Sequence, residues 1–158
     1  MLHKARGRTF DDFMVDEEIA SGARTVTEAD VVNFACLSGD FQPEHMNDEY
    51  ARSGPFGERV AHGLLILSMA TGLMNQTGIF EGTSIAILEV TTKFLKTVKF
   101  GDTIHAIQKI VGKKETSKPD RGVLSTRITV LNQEDQAVLE ADLAVLVYRR
   151  GYAQSTAH

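Results

Sequence analysis

The sequence has one cysteine, no tryptophan and only three prolines in its 158 residues. Cys36 alone cannot close an intramolecular disulfide, so the fold is expected to rest on its core, in a reducing cytoplasm. Excess positive charge is also missing. Seventeen Lys and Arg against 21 Asp and Glu leave a formal charge of −4, without the field that holds a phosphate backbone, so no nucleic-acid partner is expected. Nor is there an apolar run long enough for a bilayer, which takes roughly 20 residues. Val60 to Phe80 lacks Asp, Glu, Lys and Arg, but His62, Gly63, Gly72, Asn75, Gln76, Thr77 and Gly78 interrupt it. Leu64 to Met74 remains, a length that suits a buried core helix, and no membrane partner is expected. Met1 to Asp11 has charge but no apolar segment of leader type, so no secretory leader is expected.

What is present is ordinary globular composition, 42% hydrophobic and 24% charged, with no repeats or low-complexity tracts. One domain over residues 1–158 is expected, large enough to bury a core without metal or disulfides. The first half reads helical. Thr27 and Asp30 have the spacing of a capping box, Val31, Phe34 and Ala35 fall on one face, and Ser38-Gly39 is a left-handed stop. On that face a small thiol at Cys36 is expected to be buried. Asp40 to His45 reads as a loop stiffened by Pro43, and Asn47 caps a short turn through Ala51. The next helix is expected from Ala61 to Gln76, apolar around most of its circumference and therefore enclosed.

The second half reads as strands: Ala86 to Phe94, Thr103 to Gly112, Val123 to Asn132 and Ala137 to Tyr148, with a weakly signalled earlier strand at Ala23 to Val26. Ala137, Leu139, Ala141, Leu143, Val145 and Val147 share a face while Glu140 and Asp142 oppose them, the pattern of a half-buried antiparallel strand. Strands joined by turns too short for crossover helices predict an antiparallel meander, and the Ala61 to Gln76 helix is what can cover its apolar face. The expected class is α+β, a single hot-dog domain with the sheet wrapped around one long central helix.

The densest polar cluster is Ser38 to His45. Asp40 and His45 stand five apart on a Gly/Pro-shaped loop, and a carboxylate beside an imidazole is a common pair for moving protons near neutral pH, although a plain turn with an exposed histidine has the same spelling. His62-Gly63 opens the core helix, where free backbone N–H groups can hold developing negative charge and a glycine admits a ligand oxygen, although tight packing also explains the glycine. Asp40, His45 and His62 lack zinc-type spacing, so no metal is expected.

Phe34-Ala35-Cys36-Leu37-Ser38-Gly39-Asp40-Phe41-Gln42-Pro43-Glu44-His45, followed by Ala51, resembles the signature of MaoC-like dehydratases, the group containing (R)-specific enoyl-CoA hydratases. Phe10 to Phe13, Thr25 to Asp30, Arg59 to Gly63 and Phe94 to Asp102 resemble further family segments. The resemblance implies water addition to, or removal from, an acyl-CoA thioester, with Asp40 and His45 as the catalytic pair and the Gly63 amide polarising the thioester carbonyl. It implies substrate contacts from Gln42 and His62 and no cofactor beyond the coenzyme A of the substrate. The cationic run Lys93, Lys96 and Lys99 is placed to meet coenzyme A phosphates, and a solvated strand edge explains it equally; Lys109, Lys113 and Lys114 have the same two readings. Gln42 stands where the family usually has Asn, and Glu44 where it has an aliphatic residue. A thioesterase on the same fold and a non-catalytic acyl-binding or assembly protein remain as alternatives. The sheet leaves edge strands, and with the resemblance this implies an edge-to-edge homodimer.

Overall fold

The structure, a computed structural model, describes residues 6–153. A 3-10 turn at Phe10–Asp12 precedes two short strands, β1 (Glu18–Ala20) and β2 (Arg24–Thr25). Helices α1 (Glu28–Ser38), α2 (Pro43–Met46), α3 (Asp48–Ser53) and α4 (Gly63–Gln76) follow, and then strands β3 (Ser84–Phe94), β4 (Thr103–Glu115), β5 (Arg121–Leu131) and β6 (Ala137–Tyr148). β1 was not legible in the pattern, and β2 is shorter than the expected Ala23 to Val26.

The sheet is antiparallel in the order β1-β4-β5-β6-β3, with β2 also paired to β4. β4, β5 and β6 form the expected meander. β3 departs from it: it lies beside β6 at the far edge instead of beside β4. The segment between β3 and β4 first continues the pairing with β6 and then turns back to the start of α4. Leu95 and Lys96 donate their amides to Val138 O, Val98 O accepts from Ala61 N at 2.8 Å, and Lys99 bridges to Val60.

Alternation places Ile104, Ala106 and Ile110 of β4, Leu124, Ile128 and Val130 of β5, and Leu139, Ala141, Leu143, Val145 and Val147 of β6 in the core. They pack beneath α4, which buries Leu65, Ile66, Met69, Ala70, Leu73 and Met74. Each large aliphatic side chain so buried contributes about 1.5–3 kcal/mol. α4 is enclosed on all but one stripe, however, since Leu64 is 60% exposed and Ser68 and Asn75 are exposed. It also starts at Gly63 instead of Ala61, because Val60 and Ala61 are extended and bonded to the 98–99 segment.

Thr27 caps α1 as its spacing predicts: its Oγ1 accepts from Asp30 N, and Asp30 Oδ2 accepts from Thr27 N at 2.9 Å. α1 buries Val31 and Ala35, one helical turn apart. Cys36, a further 100° round the helix, is exposed and not buried as expected.

Candidate active site

α1 ends at Gly39, whose φ of 79° turns the chain and whose amide donates to Ala35 O at 2.8 Å. The loop beyond it is held by short local bonds: Asp40 N donates to Ser38 Oγ at 3.2 Å, and Gln42 N to Asp40 Oδ1 at 3.4 Å. Pro43 then opens α2 instead of stiffening a loop, because its fixed φ suits the first helical position. That one turn lifts His45 against the extended Val60, whose amide in turn donates to Glu44 O at 3.2 Å.

His45 Nδ1 lies 2.7 Å from Val60 O. A carbonyl oxygen only accepts, so Nδ1 carries the hydrogen and Nε2 is left with its lone pair. His62 caps the start of α4 in sequence but makes no side-chain cap bond; its Nε2 lies 2.9 Å from Asp40 O and 4.0 Å from Asp40 Oδ2. The two imidazoles stack with centroids 3.8 Å apart and planes inclined by 32°. One ligand-type atom from each of Asp40, His45 and His62 falls within 4.8 Å of the others. A single water making two hydrogen bonds of about 2.8 Å spans such a distance. The same three residues suit a cation poorly. Their rings face one another, and two of the four ring nitrogens are committed to carbonyls, whereas nitrogen ligands must converge on one point at about 2.1 Å.

A cavity of about 450 Å³ opens between the start of α4 and residues 94–98 and 138–139. His45, Gly63 and Lys96 give its polar and backbone contacts, and Phe56, Ile66 and Phe94 are among its apolar walls. Gly63 is the first residue of α4, so its amide belongs to the set that has no partner within the helix. A Cβ at this position would come within 2.6 Å of the Phe94 ring, so the ring packs directly on the bare Cα where both line the cavity.

An imidazole with a free lone pair and a bare helix amide therefore meet on one apolar cavity wall, and the Asp40 carboxylate stands beside the imidazole, within 4.8 Å, off that wall. Residues 14–132 match the MaoC like domain. The chain belongs to this family. Its architecture is the hot-dog fold, which it shares with a double-hot-dog protein from Mycobacterium tuberculosis at a TM-score of 0.80. The MaoC-like dehydratase from Rhodospirillum rubrum superposes with a TM-score of 0.83 at 25% identity, over 91% of this chain and 99% of that one. Among curated relatives, the (R)-specific enoyl-CoA hydratase of R. rubrum is 30% identical over 90% of this chain and 93% of its own length. Protein MaoC of Klebsiella aerogenes is 38% identical over 76% of this chain, which corresponds to 35% of that longer protein.

Within this MaoC-like chain the structure groups Asp40, His45 and His62, places His45, Gly63 and Lys96 on the cavity wall, and leaves Gln42 and Lys93 off it. Lys96 lines the cavity; Lys93 does not, and faces Glu140 across the β3–β6 pairing. Gln42 is exposed at the start of α2 and off the cavity wall. His62 is 3% exposed and lies behind His45, a position that does not offer the substrate contact expected of it. Glu44 does line the cavity. Phe94 and the Val60 carbonyl were missed by sequence reasoning, and a main-chain acceptor leaves no trace in residue identity.

Proposed function

We propose that the protein is a hydro-lyase that adds water across, or removes it from, the 2,3 position of an acyl-CoA thioester. The observation that carries this reading is the orientation of His45. With Nδ1–H given to Val60, the Nε2 lone pair is the basic atom left for a water shared with Asp40. That water attacks carbon 3 while His45 Nε2 takes its proton, and the same proton passes to carbon 2, so hydrogen and hydroxyl of one water are added and the imidazole is regenerated. Asp40 accepts a hydrogen bond from the other O–H of the water, which stays on the hydroxyl at carbon 3, and favours the transient imidazolium, while the Gly63 amide stabilises the enolate oxygen. Coenzyme A enters as part of the substrate, and the chemistry calls for no further cofactor. Lys96 Nζ bonds the neutral Gln136 amide at 2.8 Å, a contact that leaves its charge available to coenzyme A phosphates.

We also propose a symmetric homodimer formed through β3. This strand has no partner on its outer side among the described residues, and Ile87, Leu88 and Val90 are 51%, 57% and 44% exposed. A lone exposed thiol would cross-link copies in an oxidising compartment, which supports a cytoplasmic setting.

A panel of trans-2-enoyl-CoA thioesters, followed by loss of enoyl absorbance, tests the activity. Asp40→Asn and His45→Ala are each expected to lower turnover on the order of a hundredfold or more. Hydration at the wild-type rate by either variant overturns the mechanism. Thiol release from saturated acyl-CoA without hydration assigns the cavity to a thioesterase instead.

A further inference from the structure

His62 occupies the cap position of the central helix without capping it. Ser, Asn or Asp there would bond a free amide of the first turn and stabilise α4 relative to a residue that does not. The histidine forgoes that bond and directs its ring to Asp40 O, at 2.9 Å. Because the acceptor is a carbonyl, Nε2 carries the hydrogen. Nδ1 is then a lone pair, buried and without a hydrogen-bond partner among the described residues. A polar atom left in that state costs stability, so the side chain is not there for the fold alone.

The ring sits in a stack. Phe34 of α1 lies on it with centroids 5.0 Å apart, and His45 of α2 with centroids 3.8 Å apart. His45 is thus fixed by Val60 O at one edge and by the His62 ring against its face, which leaves Nε2 little freedom. Asp40, whose side chain is 45% exposed, is otherwise held by hydrogen bonds to Ser38 and Gln42, its own neighbours in the loop. The His62 bond ties it to α4, and the residue after His62 is Gly63, donor of the amide assigned to the thioester oxygen.

We infer that His62 is a positioning residue, one rigid ring that registers Asp40, His45 and the Gly63 amide relative to one another without touching substrate. The inference rests on the hydratase reading for its kinetic test and on hydrogen bonding alone for its structural one. Two variants separate the roles. Asn at 62 can cap α4 but is too short to reach Asp40 O, whereas Gln carries an amide N–H near the place of Nε2.

In His62→Asn, kcat is expected to fall about tenfold or more with KM nearly unchanged, since sub-ångström misplacement acts on the chemical step. Amide exchange should accelerate in residues 39–46, and the melting temperature should hold or rise. His62→Gln is expected to restore most of kcat and the slow exchange. A rise in KM with kcat intact would make His62 a substrate contact and overturn the inference. Equal loss of kcat and of melting temperature in both variants would make it structural and overturn it too, as would no change in either. If the wild-type protein hydrates no enoyl thioester, the hydratase reading fails, and exchange at 39–46 in the two variants still decides the positioning role.

Discussion

Adding one methyl group at Gly63 separates chemistry from stability. In Gly63→Ala the new Cβ would lie 2.6 Å from Phe94 Cε1, 2.7 Å from Cδ1 and 3.2 Å from Cζ. Carbon atoms in contact settle at about 3.5–4.0 Å, so the ring must retreat by roughly 1 Å. Phe94 is 56% exposed and can swing toward solvent, which places the cost near the low end of overpacking, about 1 kcal/mol. Ala in place of Gly in a helix returns up to about 1 kcal/mol. The two nearly cancel, and the melting temperature should move by no more than about 2–4 °C in a domain of this size. Catalysis has no such compensation. The methyl and the displaced Phe94 ring reshape the cavity wall beside the amide proposed to hold the thioester oxygen, and losing one such donor lowers kcat by about 10²–10³. Thermal denaturation and the enoyl-CoA assay on the same preparation check both halves. Wild-type kcat in the variant, or a loss of activity matched by a loss of stability, would refute the assignment of the Gly63 amide.

Two further outcomes follow from charge and edge. Hydrogen bonds from the Thr9 hydroxyl and the Arg150 guanidinium hold the Asp12 carboxyl well below the usual carboxylate range, and Arg149 lowers that of Asp11. A depressed folded pKa gives stability that is complete above the unfolded value, near 4, and is lost as pH falls through the folded one. Melting temperature should therefore drop as pH is lowered below about 4, and the drop should be shallower in Asp12→Asn; superimposable profiles would show that these pairs carry none of the acid sensitivity. Val90→Lys puts a charge on the open edge of β3, and light scattering should show a homodimer reduced to monomers. A dimer that persists in the variant moves the interface away from β3.

Much of this was legible in the sequence because local rules agreed with the fold. The capping box at Thr27 and Asp30, the Gly39 stop and the alternation of β6 each follow from short-range physics, and each appears as read. The signature from Phe34 to His45 singled out Asp40 and His45, which the fold brings within 4.8 Å of one another. Errors came where a long-range contact outweighed the local signal. Val60 and Ala61 have helix-compatible side chains but pair with Val98 and Lys99, and β3 pairs with β6 at the far edge, a long-range choice that no local pattern shows. Cys36 was misplaced by one step of helical phase. At the site, His62 carries a residue type that suggested ligand contact, and only the position of Asp40 O shows what the ring holds.

The displacement of β3 to the far edge also bears on the order in which the molecule assembles. β5 and β6 meet across the short turn between Leu131 and Ala137, with five residues intervening, whereas Phe94 meets Leu139 across 44. Loop-closure entropy makes the second pairing costlier by about 2 kcal/mol, and non-local pairings of this kind set slow folding rates. The β4–β5–β6 hairpins can zip locally, but β3 must wait for β6 to be present. Phe94 and Leu95 wall the cavity from one side of that seam, and Val138 and Leu139 from the other. During synthesis the cavity therefore cannot exist until the last strand of the sheet has emerged, and a growing chain offers no half-built pocket.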